Sequence, residues 1–173
     1  MVQSVTDQYK RIDILVNNAG IASSAPIHEM TDEMWDELIS IHLNGTFYAT
    51  RECLKVMYEQ EYGRIINTAS QLAYKGSPGF SHYTAAKGAI ISFTRSLSLE
   101  IGKMNIRANC VAPGATMTRM LSRYYRLAKM DRRYTYRWRR WHLRFHYHKN
   151  LNKSCVHWRL LNIRSIACQV VKS

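Results

Sequence analysis

Short apolar runs bounded by turn residues predict three buried strands, at residues 12–16, 64–70 and 106–111. Between these runs the apolar residues recur at helical spacing. The spacing predicts helices over 2–9, from a cap at Thr31 to a point before Gly63, and from the loop at 76–79 to about Gly102. Strands and helices therefore alternate along the first part of the chain.

Long helices between short strands are typical of βαβ crossovers, so the pattern predicts an α/β fold whose parallel sheet is covered by helices on both faces. Such sheets bind ligands at the carboxyl ends of their strands. Three features follow those ends here: the Asn-Asn-Ala-Gly turn at 17–20, Ser70, and the turn at Pro113 and Gly114. We expect them to converge on one crevice.

The charge and the turn residues divide the chain into two unequal parts. Residues 1–120 hold 11 Lys or Arg and 11 Asp or Glu, whereas residues 121–173 hold 14 Lys or Arg and one acid, Asp131. All eight Gly and all three Pro lie before residue 115. The net charge of +13 therefore belongs to the tail, and only the first part has the Gly and Pro turn residues that a folded domain needs.

The four cysteines have no CxxC or zinc-type spacing, so the sequence gives no sign of a disulfide framework or a metal site. The first 20 residues lack the apolar core of a signal peptide, and no run approaches 18 apolar residues. We expect a reduced, soluble, cytoplasmic chain without membrane contact.

Tyr83 and Lys87 are four residues apart at the start of a predicted helix, so their side chains share one face. A free tyrosine has a pKa of about 10, which a nearby ammonium lowers by stabilising the phenolate. Ser70, at the end of the preceding strand, adds a hydroxyl that can hold a substrate oxygen while Tyr83 moves its proton. This combination suits carbonyl reduction or alcohol oxidation.

The order and spacing of four motifs resemble the short-chain dehydrogenase/reductase family over roughly residues 2–120. These motifs are the turn at 17–20, Ser70, the pair Tyr83-x-x-x-Lys87 thirteen positions later, and Pro113-Gly114-x-x-x-Thr118. The segment 81–89 is similar to 3-oxoacyl-(acyl carrier protein) reductase-like members. The resemblance implies a Rossmann-like, doubly wound parallel sheet and NAD(P)-dependent hydride transfer between nicotinamide and a small carbonyl or alcohol substrate.

The resemblance also implies roles for individual residues. Tyr83 would give or take the substrate proton, Ser70 would bind the substrate oxygen, and Lys87 would lower the tyrosine pKa and hold the nicotinamide ribose of NAD or NADP. The resemblance thus implies that Tyr83 and Lys87 each have both a catalytic and a cofactor-binding role. The segment beside the nicotinamide would comprise Pro113, Gly114 and Thr118.

The resemblance places Asn17, Ala19 and Gly20 beside the adenosine side of the cofactor. Ordinary turn chemistry that stabilises the sheet explains these residues equally well. The family's dimers and tetramers pack on the helices around the tyrosine, which implies a homo-oligomer by resemblance alone.

His42 departs from the family pattern, which usually has an asparagine there to hold a proton-relay water. Asn44, two residues on, points about 200 degrees away around a helix and is not expected to substitute. A neutral histidine can donate and accept one hydrogen bond each, so a relay and simple helix packing both remain open.

Family members open with a strand and a glycine-rich turn that approaches the cofactor pyrophosphate, and nothing in this sequence resembles that turn. We therefore divide the chain into a partial domain at 1–120 and a basic, aromatic tail at 121–173. We expect the tail to be irregular, and either poorly ordered or translated out of frame, and the whole chain to be inactive. The alternative is a non-catalytic fragment that binds polyanions or nucleic acid nonspecifically through its tail. The absence of Gly and Pro from the tail disfavours that alternative, because binding folds also need turns. If the tail does bind nucleic acid, the affinity should fall steeply with added salt.

Overall fold

The computed structural model of the 173-residue chain describes residues 1–114 and 170–171. Helices alternate with strands through the first range, as the sequence pattern predicts. In chain order the elements are α1 (Val2–Tyr9), β1 (Ile14–Asn17), α2 (Asp32–Ile39), a π-helical turn (Ser40–Asn44), α3 (Gly45–Glu59), β2 (Gly63–Thr68), α4 (Leu72–Lys75), α5 (Ser81–Glu100), β3 (Ile106–Val111) and β4 (Val170–Val171).

The sheet has the strand order β3-β2-β1-β4. The first three strands are parallel, and Leu15 pairs with Ile65, which in turn pairs with Ala108. This arrangement confirms the predicted α/β fold with a parallel, Rossmann-like sheet. β4 instead runs antiparallel to β1, with Val170 opposite Leu15. The rest of the predicted tail lies outside the described residues.

Two strand boundaries differ from the sequence prediction. β1 extends through Asn17, which the pattern assigned to the following turn, because Asn17 pairs in register with Asn67. β2 ends at Thr68, so Ser70 lies in the loop beyond the strand rather than at its last position. β3 has the predicted bounds.

The long helical segment after Thr31 is interrupted in the middle. Thr31 caps α2 as predicted, since its Oγ1 accepts a hydrogen bond from the amide of Met34 at 3.3 Å. The sequence pattern predicts one continuous helix, whereas the structure joins α2 to α3 through the π-helical turn, which buries His42. Such turns are rare and occur often at functional sites.

The apolar core lies between the parallel strands and the helices packed on them. Its buried members are Ile12, Leu15, Cys53, Leu54, Met57, Ile65, Leu97, Ile101, Ile106 and Ala108, with Val2 and Val5 of α1 packed against them. A second, smaller cluster surrounds Ile90 and Ile91 of α5. Within the part of the chain that the structure describes, no helix is both long and apolar enough to cross a membrane.

A chain of buried polar side chains crosses the sheet near its carboxyl edge. The Asn17 amide nitrogen donates to Thr50 Oγ1 at 3.1 Å and to Asn67 Oδ1 at 2.8 Å. The Asn67 amide nitrogen donates to Thr94 Oγ1 at 2.9 Å, and that hydroxyl donates to the carbonyl of Ile90 at 2.7 Å. The chain of bonds therefore joins β1 and β2 to α3 and α5.

We expect Asn67→Ala to lower the free energy of unfolding by about 2–4 kcal/mol, because Asn67 is fully buried and its loss removes one buried hydrogen bond from Asn17 and one from Thr94. Urea denaturation measures the change. The matched control is Asn109→Ala, on the exposed side of β3, where we expect a change within about 0.5 kcal/mol. Equal effects at the two positions would contradict a special role for the buried amides.

Candidate active site

The loops that follow β2 and β3 run side by side at the carboxyl edge of the sheet. The Ala69 amide donates to the carbonyl of Val111 at 2.8 Å, and the Gln71 amide donates to the carbonyl of Pro113 at 3.0 Å. Gly114 lies next to the Gln71 side chain. The structure thus brings the Ser70 loop and the Pro113-Gly114 turn together, while Thr118 lies outside the described residues.

Lys87 reaches this edge from α5 and is 4% exposed. Its Nζ donates to the carbonyl of Thr68, the last residue of β2, at 2.6 Å and lies 5.8 Å from the centre of the Tyr83 ring. Burial lowers the pKa of Lys87 to about 8. The ammonium is therefore held at the end of β2, one helical turn from Tyr83, as their spacing predicts.

Ser70 faces Tyr83 from the loop after β2. Its Oγ accepts a hydrogen bond from the Leu72 amide at 3.2 Å and, by hydrogen bonding to the phenol, lowers the pKa of Tyr83. Burial has the larger effect and raises that pKa above its ordinary value of 10.0. The sequence predicted a phenol pKa lowered by Lys87. In the structure the direction is opposite, because desolvation of the half-buried phenol outweighs the stabilising contacts.

His42 lies on the other side of Tyr83. The two rings make an edge contact, with centroids 5.5 Å apart and planes at 82°. Depending on the tautomer, Nε2 of His42 accepts from the Ile21 amide at 3.1 Å or donates to the Ile21 carbonyl at 2.8 Å. Nδ1 is buried and has no hydrogen-bond partner among the described residues.

Burial is the main reason why the pKa of His42 falls to about 4, and the positive charge of Lys87 lowers it further. His42 is therefore neutral at pH 7, with one ring nitrogen bonded to the Ile21 backbone and the other free to bond a small polar group. This geometry supports both uses that the sequence left open, since His42 packs against Tyr83 and retains an unused polar atom.

The residues of the turn at 17–20 have separate environments. The Asn17 amide is engaged in the buried network with Thr50 and Asn67, and Ala19 is exposed. Gly20 lies directly against His42, since a Cβ on Gly20 would be 2.2 Å from Cε1 of the imidazole. Asn17 and Gly20 thus have structural roles in the described residues, and a cofactor role for this turn stays a prediction.

A second pair of polar residues, His82 and Ser23, lies beside Tyr83 and was not predicted from the sequence. His82 is fully buried, and its Nε2 lies 2.9 Å from Oγ of Ser23. Phe80 contacts the Tyr83 ring edge-on, with centroids 6.2 Å apart. Position next to Tyr83 was the only sequence signal for His82, and Ser23 had none, because the pair is 59 residues apart in sequence.

A phenol, a hydroxyl and an ammonium therefore meet at the carboxyl edge of β2. The phenol and hydroxyl can hold one substrate oxygen and move a proton to or from it, and the ammonium adds a fixed positive charge with donors to spare.

The family model described as short chain dehydrogenase matches residues 1–127. The chain is 43% identical over 121 residues to a 3-oxoacyl-[acyl-carrier-protein] reductase of Chlamydia pneumoniae. The matched segment covers 70% of this chain and 49% of that reductase. It is 41% identical over 120 residues to the (2S)-[(R)-hydroxy(phenyl)methyl]succinyl-CoA dehydrogenase subunit BbsD of Thauera aromatica, covering 69% of this chain and 48% of that subunit.

The same segment of the chain also matches part of a much longer protein and part of a solved structure. The peroxisomal hydratase-dehydrogenase-epimerase of Neurospora crassa is 39% identical over 123 residues, which cover 70% of this chain and 14% of that protein. Among solved structures, a short-chain dehydrogenase from Streptomyces avermitilis superposes with a TM-score of 0.65 at 32% identity, over 69% of this chain and 44% of the other. The chain thus spans about half the length, or less, of these relatives.

We expect Gly20→Ala to lower the free energy of unfolding by about 1–3 kcal/mol, because the new methyl group would overlap the His42 ring. A double-mutant cycle with His42→Ala measures the contact by urea denaturation. Since His42→Ala makes room for the methyl group, the cost of Gly20→Ala should largely disappear in the double variant. An undiminished cost there would show that the clash lies elsewhere.

We expect stability to fall with acidification between about pH 6.5 and 4. A histidine whose folded pKa is lowered from 6.5 to about 4 binds fewer protons in the native state, so stability is present at higher pH and is lost as pH falls through this window. His82, whose pKa burial also lowers, acts in the same direction. Urea denaturation at pH 4.5 and 7 measures this pH dependence of stability. The variant His42→Asn should reduce the pH dependence, whereas the control His28→Asn, at an exposed histidine, should leave it unchanged. If neither variant reduced the pH dependence, or if both reduced it equally, the assignment of the effect to His42 would be wrong.

Proposed function

The chain belongs to the short-chain dehydrogenase family, and on that premise we propose that its site interconverts a carbonyl and an alcohol by hydride transfer with a nicotinamide cofactor. The observation that carries the proposal is the meeting of Ser70, Tyr83 and Lys87 at the carboxyl end of β2. Members of the family are oxidoreductases, and the sequence resemblance assigns these three residues to the positions of its catalytic motif.

In this proposal the Tyr83 phenol donates its proton to the oxygen of the substrate carbonyl, or accepts it in the reverse direction. The raised pKa of Tyr83 keeps the phenol protonated at neutral pH, as a proton donor requires. The Ser70 hydroxyl holds the same oxygen. Lys87, fixed by the Thr68 carbonyl, stabilises the phenolate left behind.

The residues present fit the nicotinamide half of NAD or NADP. Lys87 has three donors, of which the Thr68 carbonyl takes one, so the others suit the hydroxyls of a ribose. When bound, the nicotinamide supplies or accepts the hydride. The described residues contain no glycine-rich turn at a helix N-terminus of the kind that binds pyrophosphate, so we propose that the 173-residue chain by itself does not turn over the dinucleotide.

The substrate that we propose is a small acyl compound with an oxo or hydroxy group. The names of two bacterial relatives, a 3-oxoacyl-[acyl-carrier-protein] reductase and a (2S)-[(R)-hydroxy(phenyl)methyl]succinyl-CoA dehydrogenase subunit, support this class. A cytoplasmic location and assembly into a homo-oligomer are proposals that follow from the family resemblance.

Reduced nicotinamide mononucleotide is the sharpest probe, because it carries the nicotinamide and ribose without the adenosine half. We expect the chain to bind it, and Lys87→Met to weaken binding at least about tenfold through loss of a charged hydrogen bond. Fluorescence titration measures the affinity, with NADH and NADPH titrated alongside. Lys75→Met, at an exposed lysine at the end of α4, is the matched control.

Any carbonyl reduction that the chain supports with reduced nicotinamide mononucleotide should fall at least about 100-fold in Tyr83→Phe, with binding of the mononucleotide preserved. Tyr74→Phe, at an exposed tyrosine, should leave it unchanged. The proposal would be wrong if the folded chain failed to bind the reduced mononucleotide or bound it equally with and without Lys87.

A further inference from the structure

The segment 21–25, here named the strap, follows the turn after β1 and is fastened at every second residue. Ile21 bonds through its backbone to Nε2 of His42, Ser23 Oγ bonds with Nε2 of His82 at 2.9 Å, and the Ala25 amide donates to the carbonyl of Gly79 at 3.0 Å. The same three residues are partly buried, whereas Ala22 and Ser24 are exposed. Alternation with a period of two is the pattern of an extended segment with one face turned inward.

The groups that hold the strap surround Tyr83. His42 contacts one edge of the Tyr83 ring, and Phe80, next to Gly79, makes a second edge contact. His82 is the residue immediately before Tyr83 and is fully buried. The strap is thus bonded to residues on both sides of the catalytic tyrosine, although it belongs to a different part of the chain.

The bond between Ser23 and His82 is the one fastening of the three that joins two side chains. Within the described part of the chain the His82 side chain has no other hydrogen-bond partner, since its Nδ1 is buried without a hydrogen bond. Burial lowers the pKa of His82 and keeps the imidazole neutral, so the bond to Ser23 does not depend on a charge. A buried polar ring with a single partner depends strongly on that partner.

We propose that Ser23 and His82 are positioning residues, which hold the strap against the Tyr83 site and thereby keep the Tyr83 phenol shielded from water. The proposal deepens the proposed function and rests on it for its catalytic meaning, because a shielded phenol stays protonated and poised as a donor. Loss of the bond would loosen the strap, hydrate Tyr83 and return its pKa toward the ordinary value.

Hydrogen exchange tests the fastening itself. In Ser23→Ala we expect the Ala25 amide to exchange roughly two- to tenfold faster, the effect of losing one hydrogen bond. Ser24→Ala, which alters the neighbouring outward-facing serine, is the matched control, and Ser23→Thr should restore the wild-type rate because it keeps the hydroxyl. The Ala69 amide, bonded to Val111 within the sheet edge, should be unaffected in every variant.

Nitration with tetranitromethane tests the effect on Tyr83, since the reagent attacks accessible phenolate. Peptide mass spectrometry separates Tyr83 from the other tyrosines, and exposed Tyr48 serves as the internal standard. We expect Tyr83 nitration at pH 8 to be several-fold faster in Ser23→Ala than in wild type, Ser23→Thr or Ser24→Ala. Because a merely stabilising bond would not change the reactivity of this phenol, the measurement is specific for positioning.

Faster Ala25 exchange together with faster Tyr83 nitration, both confined to Ser23→Ala, supports the proposal. Any other pattern overturns it: unchanged exchange means that the bond does not hold the strap, and unchanged nitration means that the strap does not shield Tyr83. Neither measurement needs a nucleotide. Failure to bind reduced nicotinamide mononucleotide would therefore overturn the proposed function without deciding the role of the strap.

Discussion

The side chain of Asn67 is fully buried one residue before the end of β2, and its amide bonds to Asn17 of β1 and Thr94 of α5. An amide can donate and accept together, which lets a single side chain fix both neighbours. Tyr83 and Lys87 precede Thr94 on α5 at intervals that correspond to whole helical turns, so all three lie on one face of the helix. The bond that holds Thr94 therefore also sets the distance of Tyr83 and Lys87 from the end of β2.

Burial governs the electrostatics of the site. It is the largest cause of the pKa shifts of His42, His82, Tyr83 and Lys87, and in each case it favours the neutral form. The phenol stays protonated and the two imidazoles remain uncharged at neutral pH. Lys87 keeps most of its charge at pH 7 because its pKa of about 8 still lies above that value. The site thus combines uncharged hydrogen-bonding groups with one positive charge.

His42 contacts three parts of the site: Tyr83, Gly20 and the Ile21 backbone. The π-helical turn places its ring against Tyr83, the turn after β1 leaves room for it only because residue 20 is glycine, and the Ile21 backbone bonds its Nε2. Where the family usually has asparagine, this chain has a larger neutral group with an unbonded nitrogen. The replacement is therefore accommodated by the local structure, and His42 and Gly20 form one packing unit.

The order of strands and helices, the bounds of β3, the cap at Thr31 and the pairing of Tyr83 with Lys87 can be predicted from the sequence, because periodicity, capping and helical spacing are local properties. The π-helical turn, the bond between Ser23 and His82, and the raised pKa of Tyr83 arise from tertiary packing. Each of these depends on groups far apart in sequence or on how much water packing excludes, and no local pattern of residues encodes either.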